Sequence, residues 1–226
     1  MSAIISRSKG FIFLKVPKNA SYTTTTILLE AGLANGKNDT TAPLNDDTAS
    51  PAMKRVHPNM SDLLDQGLIT QAEHDALPVY AFYRDPVDRF LSAYRFAKYV
   101  HPAGVNLGIG RDARDEFDLG FVIDNLSMLA DRTVFFRHQS HWLATSNVTV
   151  YDFSIYREEM AKFRNIYGGG PVRFMDDPSQ ISADSYFIHS TDQHKPLVSL
   201  TASQASKVRD FYSKDYALQP TQMVAT

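Results

Sequence analysis

Two kinds of hydrophobic pattern alternate along this chain. Short segments in which nearly every residue is apolar predict strands that are buried on both faces, and they are residues 10–16, 79–83, 148–153, 172–175 and 186–189. Segments in which apolar residues recur at helical spacing predict helices, and they are residues 21–31, 59–76, 86–97, 117–131, 158–167 and 201–212. Strands that alternate with helices predict an α/β fold with a central parallel β-sheet flanked by helices.

The length of 226 residues, of which 43% are hydrophobic, indicates a single domain over residues 1–226 with a full hydrophobic core. Two long polar stretches interrupt the pattern, at residues 33–56 and 101–115. Stretches of this length without predicted secondary structure are usually functional lids or disordered segments. We therefore predict two mobile loops that shape the functional site.

Bulk charge and residue usage exclude several classes of function. The net charge of −2 and the pI of about 6.4 argue against a nucleic-acid-binding protein, which usually carries a basic excess. The chain contains no cysteine, so it forms neither disulfides nor a thiolate metal site. The apolar run at residues 10–16 is too short to span a membrane, and the N-terminal residues lack the layout of a signal peptide. These observations predict a soluble, cytoplasmic protein.

Two segments place a basic residue between a predicted strand and a helix start that carries hydroxyl side chains. The first covers residues 13–24 and contains Lys18, and the second covers residues 83–94 and contains Arg84. The start of a helix binds anions because its free backbone N–H groups and the positive end of its dipole point outwards. Two such sites on one sheet suit a ligand that carries two separate phosphates.

The helix start of the first segment has a poor helix propensity. Four consecutive threonines, residues 23–26, crowd the preceding turn through their branched side chains. Two explanations are open for a helix at this place. Either a ligand uses the hydroxyl and N–H groups of these residues, or tertiary packing alone overrides their propensity.

Together the two segments resemble the two cofactor-binding segments of sulfotransferases that use 3′-phosphoadenosine 5′-phosphosulfate (PAPS), and they look most like those of the carbohydrate sulfotransferase branch. The resemblance covers most of residues 10–218, and its specific part is the two segments. It implies the sulfotransferase form of the P-loop nucleotide hydrolase-like fold. It also implies transfer of a sulfuryl group from PAPS to an acceptor hydroxyl, with a saccharide as the expected acceptor. Eukaryotic members are usually anchored in the Golgi membrane, so the short N-terminal apolar run indicates a microbial or viral origin.

In the first segment, the resemblance implies that Lys18 is catalytic and holds the 5′-phosphosulfate. Sulfuryl transfer resembles phosphoryl transfer, in which charge builds up on the leaving oxygen, and a lysine at the turn can neutralise that charge. The other cofactor contacts implied here are Asn19, Ala20, Ser21, Tyr22, Thr23 and Thr24. Tyr22 stands where the family usually has a small or hydroxyl residue, which leaves its role open.

In the second segment, the resemblance implies that Arg84 and Ser92 bind the 3′-phosphate of the cofactor. An arginine suits a doubly charged phosphate because its planar fork binds two oxygens. Asp85 is predicted to cap the helix, and Arg89 is predicted to pair with a carboxylate such as Asp85 or Asp88.

An acceptor hydroxyl must lose a proton during transfer, and histidine is the usual base near neutral pH. Among the seven histidines we predict His57 as the base. Residues 54–58, followed by a helix and then by the second phosphate segment, resemble the place where several carbohydrate sulfotransferases carry one. A carboxylate from the preceding loop, Asp46 or Asp47, is the alternative base.

Residues nearer the C-terminus are predicted to contact the acceptor. Residues 137–143 resemble a family segment that often carries Gln-Ser, which assigns His138 and Gln139 to the acceptor pocket. Lys195 lies in a polar loop from which it could reach the cofactor or an anionic acceptor. His138 and His141 have a spacing that could suit a metal ion, but no third ligand is evident, and we predict no metal.

Two other functions fit parts of this pattern. A nucleotide kinase-like phosphotransferase would have the same fold, but the chain lacks the glycines of the G-x-x-x-x-G-K-[ST] loop and a recognisable pattern of Mg²⁺ ligands. A non-catalytic protein that retains a PAPS-type pocket would bind the nucleotide without turnover. A magnesium requirement would favour the first alternative, and binding without turnover would favour the second.

Overall fold

The computed structural model describes residues 3–36, 39–41, 57–99, 117–144, 147–170, 198–218 and 220. Within them, one mixed sheet has the strand order β3-β1-β2-β4-β5, and its strands are β1 (Ala3–Ser6), β2 (Phe11–Leu14), β3 (Thr40–Thr41), β4 (Val79–Tyr83) and β5 (Val148–Asp152). β2 runs parallel to β4, and β4 runs parallel to β5. The strands predicted at residues 10–16, 79–83 and 148–153 thus form the parallel part of the sheet.

Helices flank the sheet and connect its parallel strands. They are α1 (Ser21–Glu30), α2 (Met60–Asp65), α3 (Gln71–Ala76), α4 (Pro86–Tyr99), α5 (Leu119–Asp124), α6 (Leu126–Arg132), α7 (Ser140–Leu143), α8 (Tyr156–Ile166), α9 (Ala202–Phe211) and α10 (Ser213–Tyr216). The predicted α/β class is therefore confirmed.

Two strands that the apolar pattern does not predict extend the sheet beyond β2. β1 pairs antiparallel with β2 through a tight turn, in which the Gly10 N–H donates to the Ser6 carbonyl at 2.8 Å. Gly10 adopts a φ of 74°, which a glycine can do without steric cost. β3 pairs antiparallel with β1 inside the stretch that was predicted as a loop. The sheet is mixed because these two short strands join its parallel part.

Both faces of the sheet are covered, which explains the continuous apolar character of its strands. Side chains alternate along β2: Phe11 and Phe13 pack with α1 and α8, whereas Ile12 and Leu14 pack on the other face with α2 and α7. A separate cluster joins α4 to α5, α6 and α9. In open α/β sheets, ligands bind beyond the carboxyl ends of the parallel strands, which places the candidate site after β2 and β4.

Two predicted helices are divided in the structure. The helix expected over residues 59–76 is α2 and α3, because Gly67 adopts a φ of 64° between them. Asn59 caps the start of α2 and Thr70 caps the start of α3, each through a capping box. The helix expected over residues 117–131 is likewise α5 followed by α6.

Some predictions concern residues outside the described part of the chain. These are the strands at 172–175 and 186–189, the loop at 101–115, most of the loop at 33–56, the alternative bases Asp46 and Asp47, and Lys195. Among the residues that the structure does describe, no helix has both the length and the apolar character that crossing a membrane requires.

Candidate functional site

The turn between β2 and α1 holds its backbone in an uncommon conformation. Lys18 and Ala20 both have positive φ, of 71° and 53°, although neither is a glycine. A left-handed conformation costs a residue with a side chain roughly 1–2 kcal/mol, and strain of this kind is concentrated at functional sites. Successive N–H groups in such a turn converge on a concave surface that binds anions.

α1 begins directly at this turn, and its N-terminus is open. No side chain caps it, and its first turn contains no acidic residue. The Thr24 N–H donates to the Ala20 carbonyl at 2.9 Å. The helical N–H groups before Thr24, those of Ser21, Tyr22 and Thr23, have no intrahelical acceptor. The contact of these three residues with a phosphate stays a prediction.

Packing accounts for the helical conformation of the threonine-rich start of α1. The buried Thr24 hydroxyl lies 3.0 Å from the Tyr156 hydroxyl, and the buried Thr25 hydroxyl donates to the Ser21 carbonyl at 2.8 Å. For these two threonines, tertiary contacts override the low helix propensity. Because the hydroxyl and the N–H of Thr24 are both engaged within the protein, the structure does not support the cofactor contact predicted for Thr24.

Asn19 stabilises the turn between β2 and α1 through hydrogen bonds inside the protein. Its side chain is buried, and Nδ2 donates to the Phe82 carbonyl at 2.7 Å. Its backbone N–H donates to the Val16 carbonyl at 3.2 Å. Since the N–H groups of Asn19 are committed to the protein, the structure favours a supporting function for Asn19 over the direct cofactor contact that was predicted.

The end of β4 brings the second predicted segment against the first. Arg84 donates from Nη1 to the Lys18 carbonyl at 3.1 Å, and its guanidinium lies 4.9 Å from the centre of the Phe153 ring. The Arg84 side chain thus contacts the backbone of the Lys18 turn, although the two residues are 66 positions apart in the chain. The binding of two phosphates by these segments stays a prediction.

The start of α4 agrees with the sequence prediction. Asp85 caps it, because its Oδ1 accepts from the Val87 N–H at 2.9 Å and from the Asp88 N–H at 3.1 Å. Ser92, the second predicted ligand of the 3′-phosphate, is half-buried about two turns further along the helix.

Phe96 contacts Lys18 and was missed by sequence reasoning. The Lys18 ammonium lies 3.9 Å from the centre of the Phe96 ring, which is a cation–π contact. Phe96 follows Ser92 by four residues, so the two side chains share one face of α4. That spacing was the available signal, because it places an aromatic ring beside a predicted phosphate ligand.

Arg89 is structural, as predicted, but its partners differ from those expected. It is fully buried, and its Nε donates to the Pro17 carbonyl at 3.0 Å. Tyr212 and the Asp215 carboxylate also interact electrostatically with its guanidinium. The expected pairing with a carboxylate at the start of α4 is wrong, because Arg89 points into the core while those carboxylates face outwards.

His57 lies just before α2 and is held at two points. Its Nδ1 lies 2.7 Å from the Lys15 carbonyl, and the Trp142 indole N–H donates to the His57 carbonyl at 2.7 Å. A carbonyl only accepts, so Nδ1 carries the proton and Nε2 keeps its lone pair. Burial lowers the pKa of His57 to about 4, although the hydrogen bond to Lys15 opposes this shift. The imidazole is therefore neutral at physiological pH, and its lone pair lies on Nε2.

Lys15 is a second residue that sequence reasoning missed. It follows β2 directly, and its buried ammonium donates to the Thr25 hydroxyl at 2.8 Å. Burial lowers the pKa of Lys15 to about 7. A lysine within the otherwise apolar residues 10–16 was the available signal, since that position predicts a buried amine. Because the Lys15 carbonyl also accepts from His57, this residue connects the first phosphate segment with the predicted base.

Gln139 lies directly before α7 and is fully buried. Its side-chain amide hydrogen-bonds to Asn19 and to the backbone of Arg84. Both polar atoms of the amide are therefore engaged within the protein. The structure does not support the acceptor contact predicted for Gln139, because a side chain without solvent exposure cannot reach an acceptor.

His138 packs against the C-terminal helices. Its ring stacks on Phe211 with centres 4.7 Å apart, and its Nδ1 lies 3.8 Å from Asp215 Oδ1. Burial lowers the pKa of His138, although the Asp215 carboxylate opposes this shift. The acceptor contact of His138 stays a prediction. Within the described ranges, no three His, Asp or Glu side chains cluster in a way that could hold a metal ion.

Replacing Ala20 by glycine should raise the free energy of unfolding by about 0.5–1 kcal/mol, because glycine adopts a positive φ without steric cost. Urea denaturation measures this change. Ala31→Gly is the matched control, because Ala31 has a φ of −72° after the last residue of α1. There glycine adds freedom to the unfolded chain without relieving strain, and stability should fall. An equal fall in both variants would contradict the strain at Ala20.

The fold and the basic turns at Lys18 and Arg84 are compatible with binding of an anionic ligand beyond the carboxyl ends of the parallel strands. The sequence profile of the sulfotransferase family matches residues 1–218, which is nearly the whole chain. A comparison with curated proteins and one with solved structures each found no match. The chain belongs to the sulfotransferase family, in the branch of carbohydrate sulfotransferases that use PAPS, and is an enzyme of sulfuryl transfer.

Proposed function

We propose that this enzyme transfers the sulfuryl group of PAPS to a hydroxyl group of a saccharide. The family generally uses PAPS as its donor, and saccharide acceptors are typical of the matching branch. The observation that carries the proposal is the contact between the two anion-binding segments, in which Arg84 Nη1 donates to the Lys18 carbonyl at 3.1 Å.

The residues present fit a nucleotide with phosphates at its 5′ and 3′ positions. The strained turn at Ala20 and the uncapped N-terminus of α1 offer backbone donors to the 5′-phosphate. Arg84 offers a planar fork to the 3′-phosphate, and Ser92 offers a hydroxyl. Bound PAPS would supply a sulfuryl group that is activated by its attachment to a phosphate leaving group.

Two side chains would carry the chemistry. Lys18 neutralises the negative charge that develops on the leaving oxygen, which lowers the barrier of a loose transition state. His57 accepts the proton of the acceptor hydroxyl at Nε2, because its Nδ1 is committed to the Lys15 carbonyl. Phe96 keeps the Lys18 ammonium at the face of α4 through the cation–π contact.

Calorimetric titration without added metal tests the proposal. Adenosine 3′,5′-bisphosphate should bind with micromolar affinity and ADP much more weakly, since ADP has no 3′-phosphate for Arg84. Binding of ADP that requires magnesium would indicate a kinase-like phosphotransferase. Binding of the bisphosphate without sulfation of any saccharide would indicate a non-catalytic protein, and no binding of either nucleotide would refute the proposal.

Replacing Arg84 by alanine should weaken binding of adenosine 3′,5′-bisphosphate by about 10- to 100-fold, because hydrogen bonds to a charged group contribute about 1.5–3 kcal/mol. Binding of AMP should change much less. Arg84→Lys keeps the charge without the planar fork and should give an intermediate affinity. Arg132→Ala, at the exposed end of α6, is the control and should bind like the wild type. An equal loss for both nucleotides would contradict a 3′-phosphate contact.

A further inference from the structure

One buried amide joins the two anion-binding segments. Gln139 Oε1 accepts from Asn19 Nδ2 at 2.7 Å and from the Arg84 N–H at 3.1 Å, and Gln139 Nε2 donates to the Arg84 carbonyl at 2.8 Å. The first of these bonds reaches the Lys18 turn, and the other two reach the end of β4. Since the side chain is fully buried, no water competes for these bonds.

The backbone of Gln139 is itself anchored. The Gln139 N–H donates to Asp215 Oδ2 at 2.8 Å, and the Ser140 N–H donates to Asp215 Oδ1 at 2.9 Å. Asp215 is fully buried and lies near the Arg89 guanidinium. Both ends of the glutamine are therefore fixed: the carboxylate holds its backbone, and its amide holds the two segments.

The separation of the two segments matters for a ligand that must bind both. A nucleotide with two phosphates gains the full benefit of the second contact only if the distance between the sites is set in advance, and a misplacement of about 1 Å can cost about 100-fold. Within the described part of the chain, side chains of the second segment bond to the first at two places, from Arg84 Nη1 to the Lys18 carbonyl at 3.1 Å and from Arg89 Nε to the Pro17 carbonyl at 3.0 Å. The first bond uses a side chain that the 3′-phosphate is proposed to recruit, and the second reaches the residue before Lys18. Gln139 differs from both, because its amide joins the turn at Asn19 to the backbone of Arg84 itself.

We propose that Gln139 is the positioning residue that sets the distance between the Lys18 turn and Arg84, so that the two phosphates of the nucleotide bind as one unit. The inference rests on the proposed function, because it assumes a nucleotide with 5′- and 3′-phosphates. It assigns Gln139 an effect on cofactor binding through Asn19 and Arg84, in place of contact with the acceptor.

The test compares the affinities for adenosine 3′,5′-bisphosphate and for AMP in the wild type and in Gln139→Met. Methionine has a similar size and shape but cannot make the three hydrogen bonds. The ratio of the two affinities, which measures the benefit of the 3′-phosphate, should fall about tenfold in the variant, while the AMP affinity changes by less than about threefold. In an Arg84→Ala background, Gln139→Met should leave the ratio unchanged, because the residue that it positions is gone.

Two further variants keep the test decisive. Asn19→Ala breaks the same link from the side of the turn, and it should lower the ratio even if Gln139→Met does not fold. Phe163→Leu on α8 is the control, since it loosens the cluster around Phe11 and Phe13 without reaching the link. It should lower the melting temperature and leave the ratio at its wild-type value.

The outcomes are distinct for the two proposals. A ratio that falls in Gln139→Met and Asn19→Ala but not in Phe163→Leu supports the positioning of Arg84 by Gln139. A ratio that stays at the wild-type value while stability falls, as in Phe163→Leu, overturns it and leaves the proposed function intact. A wild-type protein that binds the bisphosphate no better than AMP overturns the proposed function and the inference with it.

Discussion

Replacing His57 by alanine should slow sulfuryl transfer by about 10²–10⁴-fold, which is the usual contribution of a positioned general base. The fold should persist, because the Trp142 indole donates to the backbone carbonyl of residue 57, which alanine retains. A single-turnover assay with saturating PAPS and a saccharide acceptor measures the rate. Titration with adenosine 3′,5′-bisphosphate checks in parallel that the nucleotide site is intact.

His57→Asn separates the loss of the base from the loss of a contact. Its amide can donate to the Lys15 carbonyl as Nδ1 does, but it cannot accept a proton at neutral pH. It should be as slow as the alanine variant. His74→Ala on α3 is the matched control and should keep the wild-type rate. Near-normal turnover in His57→Asn would remove His57 from the mechanism and favour Asp46 or Asp47.

The lowered pKa of His57 also predicts the pH dependence of the reaction. The base must be neutral to accept a proton, and the pH profile of kcat/KM reports the pKa of the free enzyme. The rate should therefore rise with pH through about 4 and stay level above it, because burial depresses the pKa of His57 to about 4. A rise near the ordinary histidine pKa of 6.5 would indicate that another group is the base.

Replacing Asp215 by alanine should lower the free energy of unfolding by about 2–4 kcal/mol, because a buried donor left without its acceptor costs about 1–3 kcal/mol and two N–H groups lose theirs. Asp215 is fully buried, and its carboxylate accepts from the Gln139 and Ser140 N–H groups. The variant leaves these two donors unpaired. Urea denaturation at neutral pH measures the loss.

Two further variants show whether the loss of stability comes from the hydrogen bonds of the Asp215 carboxylate. Asp215→Asn keeps the size of the side chain and one acceptor oxygen, so it should lose less stability than Asp215→Ala. Asp210→Ala, at an exposed position of α9, should change stability by less than about 0.5 kcal/mol. A loss below about 1 kcal/mol in Asp215→Ala would contradict the stabilising contribution of these two buried hydrogen bonds.

The elements that sequence predicted well are those with strong local signals. β4 (Val79–Tyr83) has the predicted bounds because a fully apolar run lies between a proline and the Asp85-Pro86 pair that opens α4. α9 (Ala202–Phe211) begins within one residue of the predicted start because Thr201 and Gln204 form a capping box. β1 and β3 were missed because four and two residues are too few to show a period.

The residues of the candidate site were likewise predicted well where the signal is local and poorly where it depends on distant parts of the chain. Lys18 and Arg84 were found because each belongs to a strand–turn–helix segment whose chemistry is readable within a few residues. The hydrogen bonds of Gln139 were not predictable from the sequence, because they join residues that lie 120, 76 and 55 positions away in the chain. Bonds of that kind depend on the packing of α7 against the sheet, which no local pattern encodes.

The resting contact between Lys18 and Phe96 affects the hydration of the ammonium group. An ammonium whose one side lies against an aromatic ring has already lost part of its water shell, so a phosphate that approaches the other side has less water to displace. The cation–π contact stabilises the ammonium by about 0.5–1 kcal/mol, whereas a charge-assisted hydrogen bond contributes about 1.5–3 kcal/mol. Under the proposed function, the Phe96 ring therefore keeps the lysine in place before binding but attracts it too weakly to hold it away from a nucleotide phosphate.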